Sequence, residues 1–291
     1  MNRERFIIEL RRLFIKKGIS TEAVVVFDPS MNTQNLGDKI IMRYCEEIIE
    51  NIFVNIKKIH IAFHERAGAL ETKNIILYKY KFICGTNVLS PNVEHFCAFK
   101  TSERLDQYHD ICLLGTGWGR YSDQTSKKSK DFYQCILSKR WIHSVRDRYT
   151  EKKLKEIGFE NVLFTACPTM WKLTPELCSC IPANKAEEVV FTLTDYDQNA
   201  KLDRKMIEIL QRNYKKIYFW VQGKRDIQYL EKIGTKNNFN LIKTLEEYTE
   251  LLEKGCIDYV GTRLHAGIHA LNYEIRTIIV AIDNRAEEIG K

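Results

Sequence analysis

The stretch richest in chemistry runs from Val260 to Asp283 and reads VGTRLHAGIHALNYEIRTIIVAID. Arg263 and His265 follow an apolar run and open a helical one. A permanent cation and an imidazole that titrates near neutral pH then share a helix start with backbone amides that have no partner in the helix. That combination makes an anion site with a proton donor or acceptor attached, so Arg263 and His265 are the expected catalytic pair. His269 comes one turn later on the same face. HxxxH is also a metal-ligand spacing, but no acidic residue lies between and no third ligand is apparent. His269 therefore reads as a satisfied helix histidine, and no metal or cofactor is expected. After the next apolar run, Asp283 and Arg285 should line the same edge.

Four further loops follow apolar runs. In QNLGDKII, Asn35 and Gly37 precede Asp38, which is placed to cap a helix. The amides of that helix start favour an anion or a sugar hydroxyl. CGTNVLS and LGTGWGR end two strand-like segments, and Gly115 and Gly117 would let backbone come close to a bound group, or simply make tight turns. Neither is a P-loop or a GxGxxG fingerprint. In HSVRDRYT, Arg146 stands where a strand should end, and its fork suits carboxylate or phosphate. Asp147 would orient an arginine or cap the next helix.

Alternating elements must position these loops. AVVVFD is a β-branched run of the kind buried parallel strands show. Strands are expected at HIAF, NIILY, KFICG, DICLLG, WIHSVRD and NVLFTAC, with helices from Lys39, through Leu137 and over TEKKLKEIG, which Gly158 stops. Residues 172–187 carry two prolines and little periodicity, and the domain boundary is expected there. A second series follows, with strands at EEVVFTLTD, KIYFWVQG, NLIK, CIDYVGT and RTIIVAID. The expected fold is α/β, two doubly wound Rossmann-like domains over residues 1–175 and 185–291, with the active site in the cleft between them. Residues 3–17 pattern as an amphipathic helix with a basic face, packed on its own domain or lying on a membrane surface.

The chain has 291 residues, 44% of them hydrophobic, and a net charge of +7. That excess favours anionic partners but is modest for a polyanion or nucleic-acid binder. No apolar run approaches the ~20 residues that span a bilayer, and MNRERFIIELRRLF lacks the form of a signal peptide, so a cytoplasmic protein is expected. The nine cysteines lack zinc spacing and read as buried, reduced thiols.

In order and spacing, these loops resemble the polysaccharide pyruvyl transferase family. The matching elements are the N-x-G-D of Asn35, Gly37 and Asp38, and the GTNVLS and GTGWG loops. The others are Arg146–Asp147, the R-L-H of Arg263, Leu264 and His265, and a basic residue after the next strand, Arg285. The GTN segment departs from the family's glycine triplet, and arginine stands at 285 where lysine is frequent. The resemblance implies a GT-B-like architecture, with an acceptor-side first domain and a donor-side second. It also implies transfer of an enolpyruvyl-derived group from phosphoenolpyruvate to two hydroxyls of a glycan sugar, forming a ketal. His265 would be the catalytic imidazole, and Arg146, Arg263 and Arg285 the donor-site cations. The work would belong to exopolysaccharide or cell-surface glycan synthesis. A lipid-linked acceptor would bring peripheral contact with the inner membrane face. The competing readings are a nucleotide-sugar glycosyltransferase of the same architecture, and a non-catalytic binder of polyanions or membrane.

Overall fold

The computed structural model describes residues 23–68, 71, 75, 78–101, 105, 108–234 and 239–289. The helix expected over residues 3–17 lies outside them. The chain falls into two compact units. Met1–Thr33 and Ile41–Trp171 form the first, and Gln34–Ile40 and Lys172–Gly290 the second.

In the first unit, β1 (Ala23–Asp28), β2 (Lys57–Ala62), β3 (Tyr80–Cys84) and β4 (Cys112–Leu114) form a parallel sheet in the order β2-β1-β3-β4. A parallel pair, β5 (His143–Val145) and β6 (Val162–Phe164), continues it through the single bridges Ile111↔Leu137 and Thr116↔Val145. Every residue of β1 is buried because the sheet is covered on both faces. Val24, Val26, Phe82 and Cys84 pack with Ile41, Met42 and Cys45 of helix α1 (Leu36–Ile52). Val25, Phe27, Ile83 and Leu113 pack on the other side with Tyr133 and Ile136 of α2 (Lys127–Ile136). Helix α3 (Arg148–Glu156) starts at Asp147, whose Oδ1 accepts the Thr150 N–H at 2.7 Å, and Gly158 follows it with φ +94°.

The second unit holds α4 (Pro175–Cys180), β7 (Glu188–Thr192), α5 (Ala200–Asn213), β8 (Lys216–Trp220), α6 (Asp226–Ile233) and β9 (Asn240–Ile242). Helix α7 (Leu245–Glu253), β10 (Ile257–Gly261), α8 (Leu264–Leu271), β11 (Thr277–Ile279) and α9 (Asn284–Ile289) complete it. Its sheet is parallel throughout, ordered β11-β10-β7-β8-β9. The α/β class with parallel sheets and covering helices is thus what the chain adopts.

Three expectations need correction. Of NIILY, only Ile75 and Tyr78 are among the described residues, and Ile75 is helical rather than in a strand; an apolar run that short does not separate helix from strand. RTIIVAID pairs only over Thr277–Ile279. All nine cysteines are free, but Cys135, Cys178, Cys180 and Cys256 are exposed rather than buried. Among the described residues, no helix is long and apolar enough to cross a membrane.

Candidate active site

In the order β11-β10-β7-β8-β9, the winding of the second unit reverses between β7 and β10. Connections leave in opposite directions there, which opens a crevice at the carboxyl ends of the strands. The loops after β7, β8 and β10 meet around Arg263, the residue that begins α8. Gly261 lets β10 come close to β7, since a Cβ on it would lie 2.8 Å from the Thr192 backbone nitrogen.

Both the peptide and the side chain of Arg263 are held. Its N–H donates to Thr192 Oγ1 (3.3 Å), and its carbonyl accepts the Tyr259 hydroxyl (2.8 Å). The Tyr259 proton is thereby spent, so Thr192 donates in the 2.7 Å bond between the two hydroxyls. Arg263 Nε donates to Leu193 O (2.8 Å), and Nη2 to Asp226 Oδ1 (2.6 Å) and Asp195 Oδ1 (3.0 Å). The guanidinium lies 5.1 Å from the ring centre of Tyr196, a half-exposed aromatic. Asp226 is fully buried, and that burial pushes its carboxyl up, more than Arg263 beside it pulls it down. Arg263 is therefore not an open cation. Its side chain is 3% exposed and faces two carboxylates of its own unit.

His265 lies in the first turn of α8, two residues past Arg263, and is buried. His269 is wholly buried one turn deeper, bonded through Nε2 to Thr249 Oγ1 (3.2 Å) and packed against Tyr248 and Tyr273. Among the described residues no cluster of His, Cys, Asp or Glu is arranged to hold a metal ion.

Asn35, Gly37 and Asp38 cluster with this second unit, although they follow β1 directly in sequence. Asn35 Oδ1 accepts the Gly37 N–H (3.1 Å) and the Gln222 Nε2 amide (3.0 Å), and Leu36 N donates to Gln222 O (3.0 Å). A Cβ on Gly37 would sit 2.6 Å from Gln222 Nε2. Asp38 is buried in the first turn of α1. The motif thus joins the β8 loop, and through Gly223 and Asp226 it is continuous with Arg263.

Arg146 lies in the first unit and is equally enclosed, 1% exposed. Nη2 donates to Asn87 Oδ1 (2.7 Å), Nε reaches Asp147 Oδ2 (3.4 Å), and its N–H donates to Thr116 O (2.8 Å). The two glycines expected to admit a ligand lie close to side chains of their own unit, Gly117 to Arg146 and Gly115 to Pro168. A Cβ on Gly117 would stand 2.8 Å from Arg146 Nε, and one on Gly115, at φ +65°, would stand 2.6 Å from Pro168 Cγ. The GTN departure has a use as well, because its Asn87 is the partner of Arg146. His143 is no candidate for the acid: burial pushes it down to about 4, its Nδ1 accepts the Leu113 N–H, and Nε2 faces Ser138 O.

Arg285 falls on α9, and its side chain lies outside the described residues. Asp283 Oδ1 accepts the Ala286 N–H at 3.3 Å. Reading the sequence missed Leu193, Asp195, Gln222, Gly223 and Asp226. VQGKRD did carry a signal, a strand ending in glycine followed by charge, as GTGWGR does.

Comparison with known proteins gives three results. No relative was found among curated proteins. Among solved structures, the chain is similar to the E. coli heptosyltransferase WaaC with ADP-2-deoxy-2-fluoro heptose, at 10% identity and a TM-score of 0.41 over 89% of this chain and 88% of that one. The profile of the family described as Polysaccharide pyruvyl transferase matches residues 35–284, from the Asn35 motif to the start of α9. The chain belongs to the polysaccharide pyruvyl transferase family and is a transferase.

Proposed function

We propose that the chain moves a pyruvyl group from phosphoenolpyruvate onto two hydroxyls of a glycan sugar, in cell-surface glycan synthesis on the cytoplasmic side of the membrane. The observation that carries this reading is the place of His265, in the first turn of α8 at the reversal between β7 and β10. Phosphoenolpyruvate brings a phosphate and a carboxylate, and a helix start meets anions with amides and a positive dipole end. Arg285 is a further anion contact its motif suggests, and Arg146 would be another on exchanging its bond to Asn87 for the donor.

The chemistry needs one acid at one carbon. His265 gives a proton to the methylene carbon as the first sugar hydroxyl attacks the neighbouring carbon. The proton of that hydroxyl restores the imidazolium. The second hydroxyl then displaces phosphate from the same carbon, and its proton leaves with the phosphate. The products are the cyclic ketal and inorganic phosphate.

Replacing His265 by Ala should cut acceptor-dependent phosphate release by about 100-fold or more, the usual contribution of a positioned acid. Turnover at the wild-type rate would sink the assignment. Thermal shift separates donors: phosphoenolpyruvate should raise the melting temperature, and a nucleotide sugar that did so instead would point to glycosyl transfer.

A further inference from the structure

Arg263 is gripped at its N–H, its carbonyl, its Nε and its Nη2, by Thr192, Tyr259, Leu193 and the Asp195–Asp226 pair. Asp226 is the centre of that grip. It is the first residue of α6, and its Oδ2 accepts the N–H of Gln222 (3.1 Å) and of Gly223 (2.7 Å), which shapes the β8 loop. Its Oδ1 takes Arg263 Nη2, which belongs to the β10 loop. The two loops meet closely, since a Cβ on Gly223 would lie 2.5 Å from Nη2.

The charges argue against a direct role in donor binding. One guanidinium faces two carboxylates, and Arg225 Nε reaches the outer oxygen of Asp195 at 2.9 Å. Among these groups two guanidiniums meet two carboxylates, so Arg263 already has its charge matched within its own unit. Breaking such a buried pair would leave a carboxylate uncompensated. What the grip does determine is where α8 begins, and His265 is two residues further on.

We infer that Asp226 is a positioning residue: through Arg263 it fixes the start of α8 and so the place of the His265 imidazole, and Arg263 acts by holding that start rather than by binding the donor. The inference rests on reading His265 as the proton-transfer group.

The test uses the full chain with Asp226→Asn, and Asp195→Asn as a milder break should the first fail to fold. Misplacing a reacting group by about 1 Å costs up to 100-fold, so kcat for phosphate release should fall at least tenfold. KM for phosphoenolpyruvate should stay within about twofold. The pH limb of kcat that reports His265 should move, which a purely structural ion pair would not cause. Nitrogen-15 spectra of the free protein give a second readout. The His265 titration, assigned with His265→Asn, and the Arg263 Nε–H signal should both change in the variant. A fall in KM, as a freed cation recruits donor, would overturn the inference, and so would unchanged kcat or unchanged His265 and Arg263 signals. If the wild type releases no phosphate from phosphoenolpyruvate, the functional reading fails, and the spectra still decide the positioning role.

Discussion

Gly117→Ala probes the fit of Arg146 against the GTGWG loop. The added carbon would lie 2.8 Å from Arg146 Nε and nearer still to Cζ and Nη2. Arg146 is 1% exposed, so it cannot swing into solvent and must give up its 2.7 Å bond to Asn87. A hydrogen bond to a charged group contributes about 1.5–3 kcal/mol. Forcing one extra carbon into a filled site costs about 1–3 kcal/mol more. The expected loss is therefore on the order of 3–5 kcal/mol, or roughly 10 °C in the transition of a unit this size. Urea and thermal melts followed by tryptophan fluorescence would measure it, Trp118 being next to the substitution. The decisive comparison is a double-mutant cycle with Arg146→Ala, because removing the guanidinium makes room for the methyl group. Gly117→Ala should then cost less than about 1 kcal/mol, a coupling of at least 2 kcal/mol. An equal cost in both backgrounds, or a cost under about 0.5 kcal/mol in the wild type, would refute the packing argument.

Two other changes have defined outcomes. His60 Nδ1 lies 2.9 Å from Asp28 Oδ2, and its Nε2 lies 3.5 Å from Glu46. The bond to Asp28 pushes His60 up, against burial. For Asp28, burial acts upward, but the bonds from His60 and Ser30 outweigh it and bring the carboxyl down. The raised histidine therefore stabilises fully below its ordinary value of about 6.5, and less as pH rises through its folded value. The lowered aspartate stabilises above about 3.9, and less as pH falls through its folded value. His60→Ala should lower the melting temperature most between about pH 4 and 6.5 and little at pH 9; an equal loss at both would contradict the pairing. Asp147→Ala removes the N-cap of α3, where Oδ1 accepts Thr150 N–H at 2.7 Å, and should cost about 1–2 kcal/mol in the same melts.

Much of the fold could be read in advance because buried parallel strands write themselves as unbroken β-branched runs. Val24–Phe27 and Val189–Phe191 are of that kind. Capping was readable at Asp147 and Gly158, because its partners lie within one turn, but not at Asp38, expected as a cap and found inside the first turn of α1, where Asn35 Oδ1 accepts the Gly37 N–H instead. The surroundings of Arg263 were not readable. Its partners Asp195 and Asp226 stand 68 and 37 residues away, and no local pattern ties them to it. The same distance hid the true neighbours of Asn35 and Gly37. Asn35 meets Gln222 across 187 residues, while its place in the chain directly after β1 suggested the first unit. Arg146 stood out in the sequence as a cation at a strand end, but its bond to Asn87, 59 residues away, was not readable there.

The uneven distribution of the thiols gives the protein an internal clock. Cys45, Cys84, Cys112 and Cys167 are buried, all in the first unit, and burial holds the thiols of Cys45, Cys112 and Cys167 in their unreactive protonated form. Cys178, Cys180 and Cys256 are exposed on the second unit, and Cys135 on the first. An alkylating reagent would label the exposed set at once and the buried set only when the first unit opens. The slow fraction, read by mass, then times the opening of one unit in an unmodified chain, even where a melt blends the two transitions.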